Sequence, residues 1–252
     1  LFYIGRLQRC NIFQKLNKGM LMKKNTARCG VALLIYILIF VRTYGCSDVG
    51  TAFYMAYWPL DFMDVNRMFL SYTMLVLSQL PLYILWGDYF GENLYRNASV
   101  IFTRTKETMS LMFRYSLKMC IGIIALTGFS AICMAAVPLI KGEAVPGDLA
   151  DIGIYALYMC VLLLAANIWA LIGKPVIGIA AVILFQAVQL IPLCGIPEKV
   201  GKGLRLLPGY FMWGIQNGIE WSGRALSACV MLGLMLVFIC CQGIVVRKTE
   251  WR

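Results

Sequence analysis

The stretch Gly87–Lys118, GDYFGENLYRNASVIFTRTKETMSLMFRYSLK, separates two long apolar runs. It carries Arg96, Arg104, Lys106, Arg114 and Lys118 against Asp88, Glu92 and Glu107. It is read as a polar loop on the cytoplasmic side of a bilayer, because basic residues accumulate there. That reading makes its flanks, roughly Met68–Trp86 and Met119–Ile140, membrane spans. From Met109 to Lys118 the apolar residues Leu111, Met112, Tyr115 and Met119 keep helical spacing, so the second of these helices is predicted to begin before the membrane.

Composition agrees with a membrane chain. Of 252 residues, 61% are hydrophobic and 14% charged, whereas soluble domains carry about 25% charged residues. The net charge of +11 sits at the edges of apolar runs, where it marks topology and contacts anionic lipids. Nucleic acid is therefore not expected as a partner. The ten Cys show no metal spacing, six of them lie in apolar runs, and His is absent. No metal site is expected. His-dependent triads and HExxH proteases are excluded. An intramembrane enzyme is disfavoured, since paired intramembrane acids and GxGD or GxSG sites are lacking.

The outward reading gives six transmembrane helices with both termini cytoplasmic, an all-α polytopic fold. Residues 1–28 form a basic cytoplasmic segment with Arg6, Arg9, Lys15, Lys18, Lys23, Lys24 and Arg28 and no acid. A six-helix membrane domain follows over 29–246. Its spans are roughly Cys29–Tyr44, Met68–Trp86, Met119–Ile140, Ile152–Ile172, Val176–Pro192 and Ala225–Val246. Pro81 is expected to kink the second of them. Gly173-Lys174-Pro175 marks one helix stop and the next start. The outer loop 193–224 is rich in Gly and Pro, and its basic balance runs against the positive-inside rule. The tail 247–252 is basic and cytoplasmic.

Two groups of polar residues invite a function. In the loop, Asn93–Thr108 reads as a short amphipathic helix with Leu94, Val100 and Ile101 on one side and Arg96, Arg104 and Lys106 in water. Such a helix suits docking into a soluble motor domain, and equally suits an ordinary basic loop on anionic headgroups. Inside spans stand Gln79, Asn167, Gln186, Gln189 and Gln242. Each is read as interhelical glue, a path-lining group or part of a dimer interface; Gln186 and Gln189, three apart, share a face. The chain has no GxxxxGK[ST], so it holds no P-loop nucleotide site.

The six spans, the basic N-terminal segment, the long inner loop after the second span only and the Gly/Pro-rich loop before the sixth resemble the permease subunit of an ABC-2-type transporter. The order Gly87-Asp88 to Glu92, then Arg96, then Thr103-Arg104-Thr105-Lys106 before a long third helix is similar to small permeases of bacteriocin or lantibiotic export and immunity systems. The resemblance covers nearly the whole chain and is one of layout. Many such permeases have paired acids where this sequence has the single acids Asp88 and Glu92.

The resemblance implies a non-enzymatic, multi-pass subunit in a bacterial plasma membrane, exporting a peptide or amphipathic molecule. ATP and Mg would be bound by separate ABC ATPase subunits. A second permease, identical or paralogous, and membrane lipids would be the other partners. Asn93–Thr108 would be the coupling helix, with Asp88, Glu92, Arg96, Arg104, Lys106 and Glu107 at the contact. The alternative is a stand-alone membrane immunity or assembly protein without transport activity.

Overall fold

The computed structural model describes residues 26–42, 65–95, 108–142, 149–190 and 221–249. Among them there is no strand. The helices are α1 (26–42), α2 (Val65–Trp86), α3 (Thr108–Lys141), α4 (Leu149–Leu171), α5 (Pro175–Leu190) and α6 (Trp221–Thr249). A π-helical turn, Gly91–Tyr95, follows α2. The predicted early start of α3 is found at Thr108. Pro81 lies within a continuous α2. The outer loop 193–224 falls almost wholly outside the described residues.

Three helices among the described residues are long and apolar enough to cross a bilayer: Met109–Cys133, Ile152–Leu171 and Ala225–Lys248. This is half the number expected from the sequence. A span needs about 20 residues to cross a hydrocarbon core of about 30 Å. Over their described lengths the apolar helix α5 has 16 residues and α1 runs only from 26 to 42.

Helix α4 is the centre of the bundle. It packs on α3, α5 and α6 and against the π-turn. Its apolar window is 78% buried, whereas that of α6 is 28% buried. Tyr155, Tyr158, Met159, Leu162 and Leu163 fill the interior with Leu75 and Leu82 of α2 and Met112, Met119 and Ile123 of α3. Small residues let helices approach. Gly178 of α5 lies so close to the Ala166 carbonyl and Trp169 of α4 that a Cβ would collide with backbone. The turn between these helices places Gly173 at φ +79°, a conformation that glycine adopts without steric cost.

The surface inverts the usual soluble pattern. Outward positions on α1 are Leu33, Leu34, Ile37, Leu38 and Val41; on α6 they include Leu232, Leu236 and Val237. Ser116, Thr127, Asn167, Gln186 and Gln242 face inward. Apolar faces of this extent on several helices are stable in lipid and costly in water. Together with the three long apolar helices, they point to a membrane protein.

Candidate functional site

One end of the bundle gathers segments that are far apart in sequence. Gly87 lies against Ile179, and Gly91 against the Ala170 carbonyl. The Tyr89 ring meets Tyr115, centroids 6.3 Å apart. Gly243 of α6 packs on Met109 of α3. Arg28, at the start of α1, donates to Glu92 Oε2 at 2.7 Å and stands 4.0 Å from Asp88 Oδ2. The start of α1, the end of α2, the start of α3, the end of α4, the start of α5 and the end of α6 therefore share this end. Exposed Arg114, Lys118, Lys174, Arg247 and Lys248 surround it.

The first layer of buried polar groups lies just inside this end, and the side-chain amides of Asn167 and Gln242 are bonded there, although Trp86 Nε1 beside them has no partner. Asn167 has no exposed surface. Its Nδ2 donates to the Trp86 carbonyl and to the Leu163 carbonyl, each at 2.8 Å. Its Oδ1 accepts from the Phe90 N–H at 3.0 Å. The last turn of a helix leaves carbonyls without intrahelical partners. Asn167 thus caps α2 from α4 and joins it to the segment that leads into the π-turn. Gln242 of α6 fastens to the flanks of two helices: its Nε2 donates to the Leu164 carbonyl within α4 at 2.7 Å, and its Oε1 accepts from Ser116 Oγ of α3 at 3.2 Å.

The second layer lies deeper. Gln79 is eight positions before Gly87, Gln186 seven after Ile179 and Tyr158 nine before Asn167. At 1.5 Å rise per residue all three stand about 10–14 Å further into the bundle. The Tyr83 hydroxyl is 3.2 Å from Gln79 Oε1 and 3.4 Å from Gln186 Oε1. It has one proton and donates to one of them at a time. Gln79 Nε2 and both amide atoms of Gln189 are buried without a hydrogen bond. Gln186 Nε2 and the Tyr158 hydroxyl face each other without a well-formed bond. Tyr72 closes one side by donating to the Ile183 carbonyl. A buried polar group left unmatched costs about 1–3 kcal/mol, so this layer is destabilising as it stands.

The site residues read from the sequence are thus divided. Gln79 and Gln186 meet at the Tyr83 hydroxyl between α2 and α5, and Gln189 is buried about one turn further along α5. Asn167 belongs to the capping layer. Asp88 and Glu92 converge on Arg28, whose place in the basic N-terminal run gave no sign of that role. Arg96, Arg104, Lys106 and Glu107 lie outside the described residues, as does most of Asn93–Thr108; its first residues, 93–95, belong to the π-turn. Tyr83 and Tyr158 were missed. Tyr83 had a usable signal, since four residues from Gln79 is one helical face.

No protein-family model matches the sequence, and neither a curated protein nor a solved structure matches it.

Proposed function

We propose that the chain is the membrane-spanning permease subunit of an ATP-driven, ABC-type exporter in a bacterial plasma membrane, moving a peptide or amphipathic molecule. In this reading six helices span the membrane with both termini cytoplasmic, and ATP and Mg are bound by separate ATPase subunits. The observation that carries it is the convergence of helix ends at the basic end of the bundle. The polar interval 87–118 leaves from that end and returns to it, between the capped end of α2 and the start of α3. A partner pressing on this interval would act on two helices at once. Asn167 and the Arg28–Glu92 pair would pass the movement to α4 and α1.

The reading is tested by purifying the full chain from its native membrane in mild detergent and identifying what co-elutes. A stoichiometric P-loop ATPase is expected. A single species even after crosslinking would favour the stand-alone immunity or assembly protein. Within a complex, charge reversal at Arg96, Arg104 and Lys106 should leave ATP hydrolysis running while transport fails. Undiminished transport would remove the coupling role from that segment.

A further inference from the structure

The deeper polar layer differs from the capping layer in leaving amide atoms of three glutamines unmatched; like the rest of the described interior, it holds no charged side chain. Gln79, Gln186 and Gln189 have exposures of 0%, 0% and 4%. They bring unmatched N–H donors and an unmatched carbonyl acceptor into the packed core where α2 and α5 meet beside Tyr158 of α4. Lipid tails supply neither donors nor acceptors, so they cannot satisfy this layer. A charged ligand would find no counter-charge in the described cluster. A neutral ligand with both a carbonyl and an N–H would satisfy the two kinds of unmatched group together. The peptide group has that chemistry, and side-chain amides are its natural complement.

We propose that Gln79, Tyr83, Tyr158, Gln186 and Gln189 form a binding site within the membrane domain for an uncharged, amide-bearing ligand, such as a backbone segment of a peptide. Gln79 and Gln186 accept from and donate to the ligand's amide groups. Tyr83 rotates its single proton between the two glutamines and so accommodates either ligand register. Tyr158 walls the site from α4, and Gln189 extends it one turn along α5. The inference rests on the exporter reading only for the expectation that a peptide is carried; the unmatched amides argue for the site independently.

The test uses the full chain in lipid nanodiscs. The probe is an uncharged hexapeptide of Ala and Leu, acetylated and amidated, with a central benzoylphenylalanine for photocrosslinking. An alkyl benzophenone of similar length controls for partition into lipid. The peptide should label residues within 79–83, 155–158 and 183–189, while the alkyl probe labels outward positions such as Leu232, Leu236 and Val237. Gln79→Leu and Gln186→Leu should each reduce peptide labelling about tenfold. Tyr83→Phe and Tyr158→Phe keep the shape and should reduce it several-fold in folded protein.

Peptide labelling that follows the alkyl pattern, or that survives all four substitutions, overturns the site. So does radiolytic oxidation of Tyr83 and Tyr158 by bound water without peptide crosslinks, since water alone then fills the layer. A co-purifying ATPase with no crosslink removes the site and leaves the exporter reading. A specific crosslink with no ATPase does the reverse.

Discussion

The two polar layers use the same side chains in the same bundle to opposite ends. Near the basic end, Asn167 and Gln242 place their amide atoms on the Trp86, Leu163 and Leu164 carbonyls, the Phe90 N–H and the Ser116 hydroxyl. Deeper in, Gln79 and Gln186 share one tyrosine hydroxyl, and Gln189 has neither amide atom matched. An amide inside an apolar span is therefore not one kind of feature. Where a backbone carbonyl or N–H of a neighbouring segment lies within its reach, it fastens helices. Where none does, it has only other side chains or a ligand to turn to.

Substitutions should separate the layers. The largest effect is expected for Asn167→Leu, which frees the Trp86 carbonyl and the Phe90 N–H inside the bundle. A loss of about 3 kcal/mol, at 1–3 kcal/mol per orphaned group, should appear as a marked fall in the thermal midpoint in nanodiscs. A midpoint equal to that of the unaltered chain would erase the distinction between the layers. Gln242→Leu removes one bond to the Leu164 carbonyl, which keeps its partner within α4, and frees the Ser116 hydroxyl, which can turn elsewhere. About 0.5–1.5 kcal/mol is expected from the lost hydrogen bond, read in the same assay.

The Arg28–Glu92 pair is partly buried, with side-chain exposures of 23% and 18%. A double-mutant cycle of Arg28→Met and Glu92→Gln should give a coupling of about 0.5–1 kcal/mol, falling as salt is raised. A coupling of zero would detach α1 from the end of α2. The smallest change is expected for Gln189→Leu without ligand. Both its amide atoms are already unmatched, so stability should stay level or rise by up to about 1 kcal/mol. A loss as large as that of Asn167→Leu would show that Gln189 is bonded, and would bring the deep layer into line with the capping one.

Much of the fold was legible because it depends on local properties. Apolar runs located the helices, Gly173-Lys174-Pro175 located the break between α4 and α5, and the spacing of Leu111, Met112, Tyr115 and Met119 carried α3 back beyond its apolar run. The count of spans was less legible. Apolar composition sets where a helix runs, and a helix counts as a span only where it stays regular over enough described residues, of which α5 has 16. A helix that is apolar all round also gives no periodic signal of which side faces the interior.

The role of each polar residue was outside the reach of the sequence. Asn167 and Gln186 look alike there, each an amide inside an apolar run. Asn167 became a cap because folding brought the end of α2 beside it, 81 positions away along the chain for Trp86. Gln186 became part of an unsatisfied cluster because, among the described residues, its side chain bonds to the Tyr83 hydroxyl and to no backbone group. Arg28 was one of seven basic residues in the N-terminal segment until Glu92, 64 positions on, was placed against it. Amino-acid types and their local spacing determined that this is a helical membrane protein with a basic end. Packing between distant segments decided which polar groups are satisfied, because a hydrogen bond depends on partners that only the tertiary structure brings together.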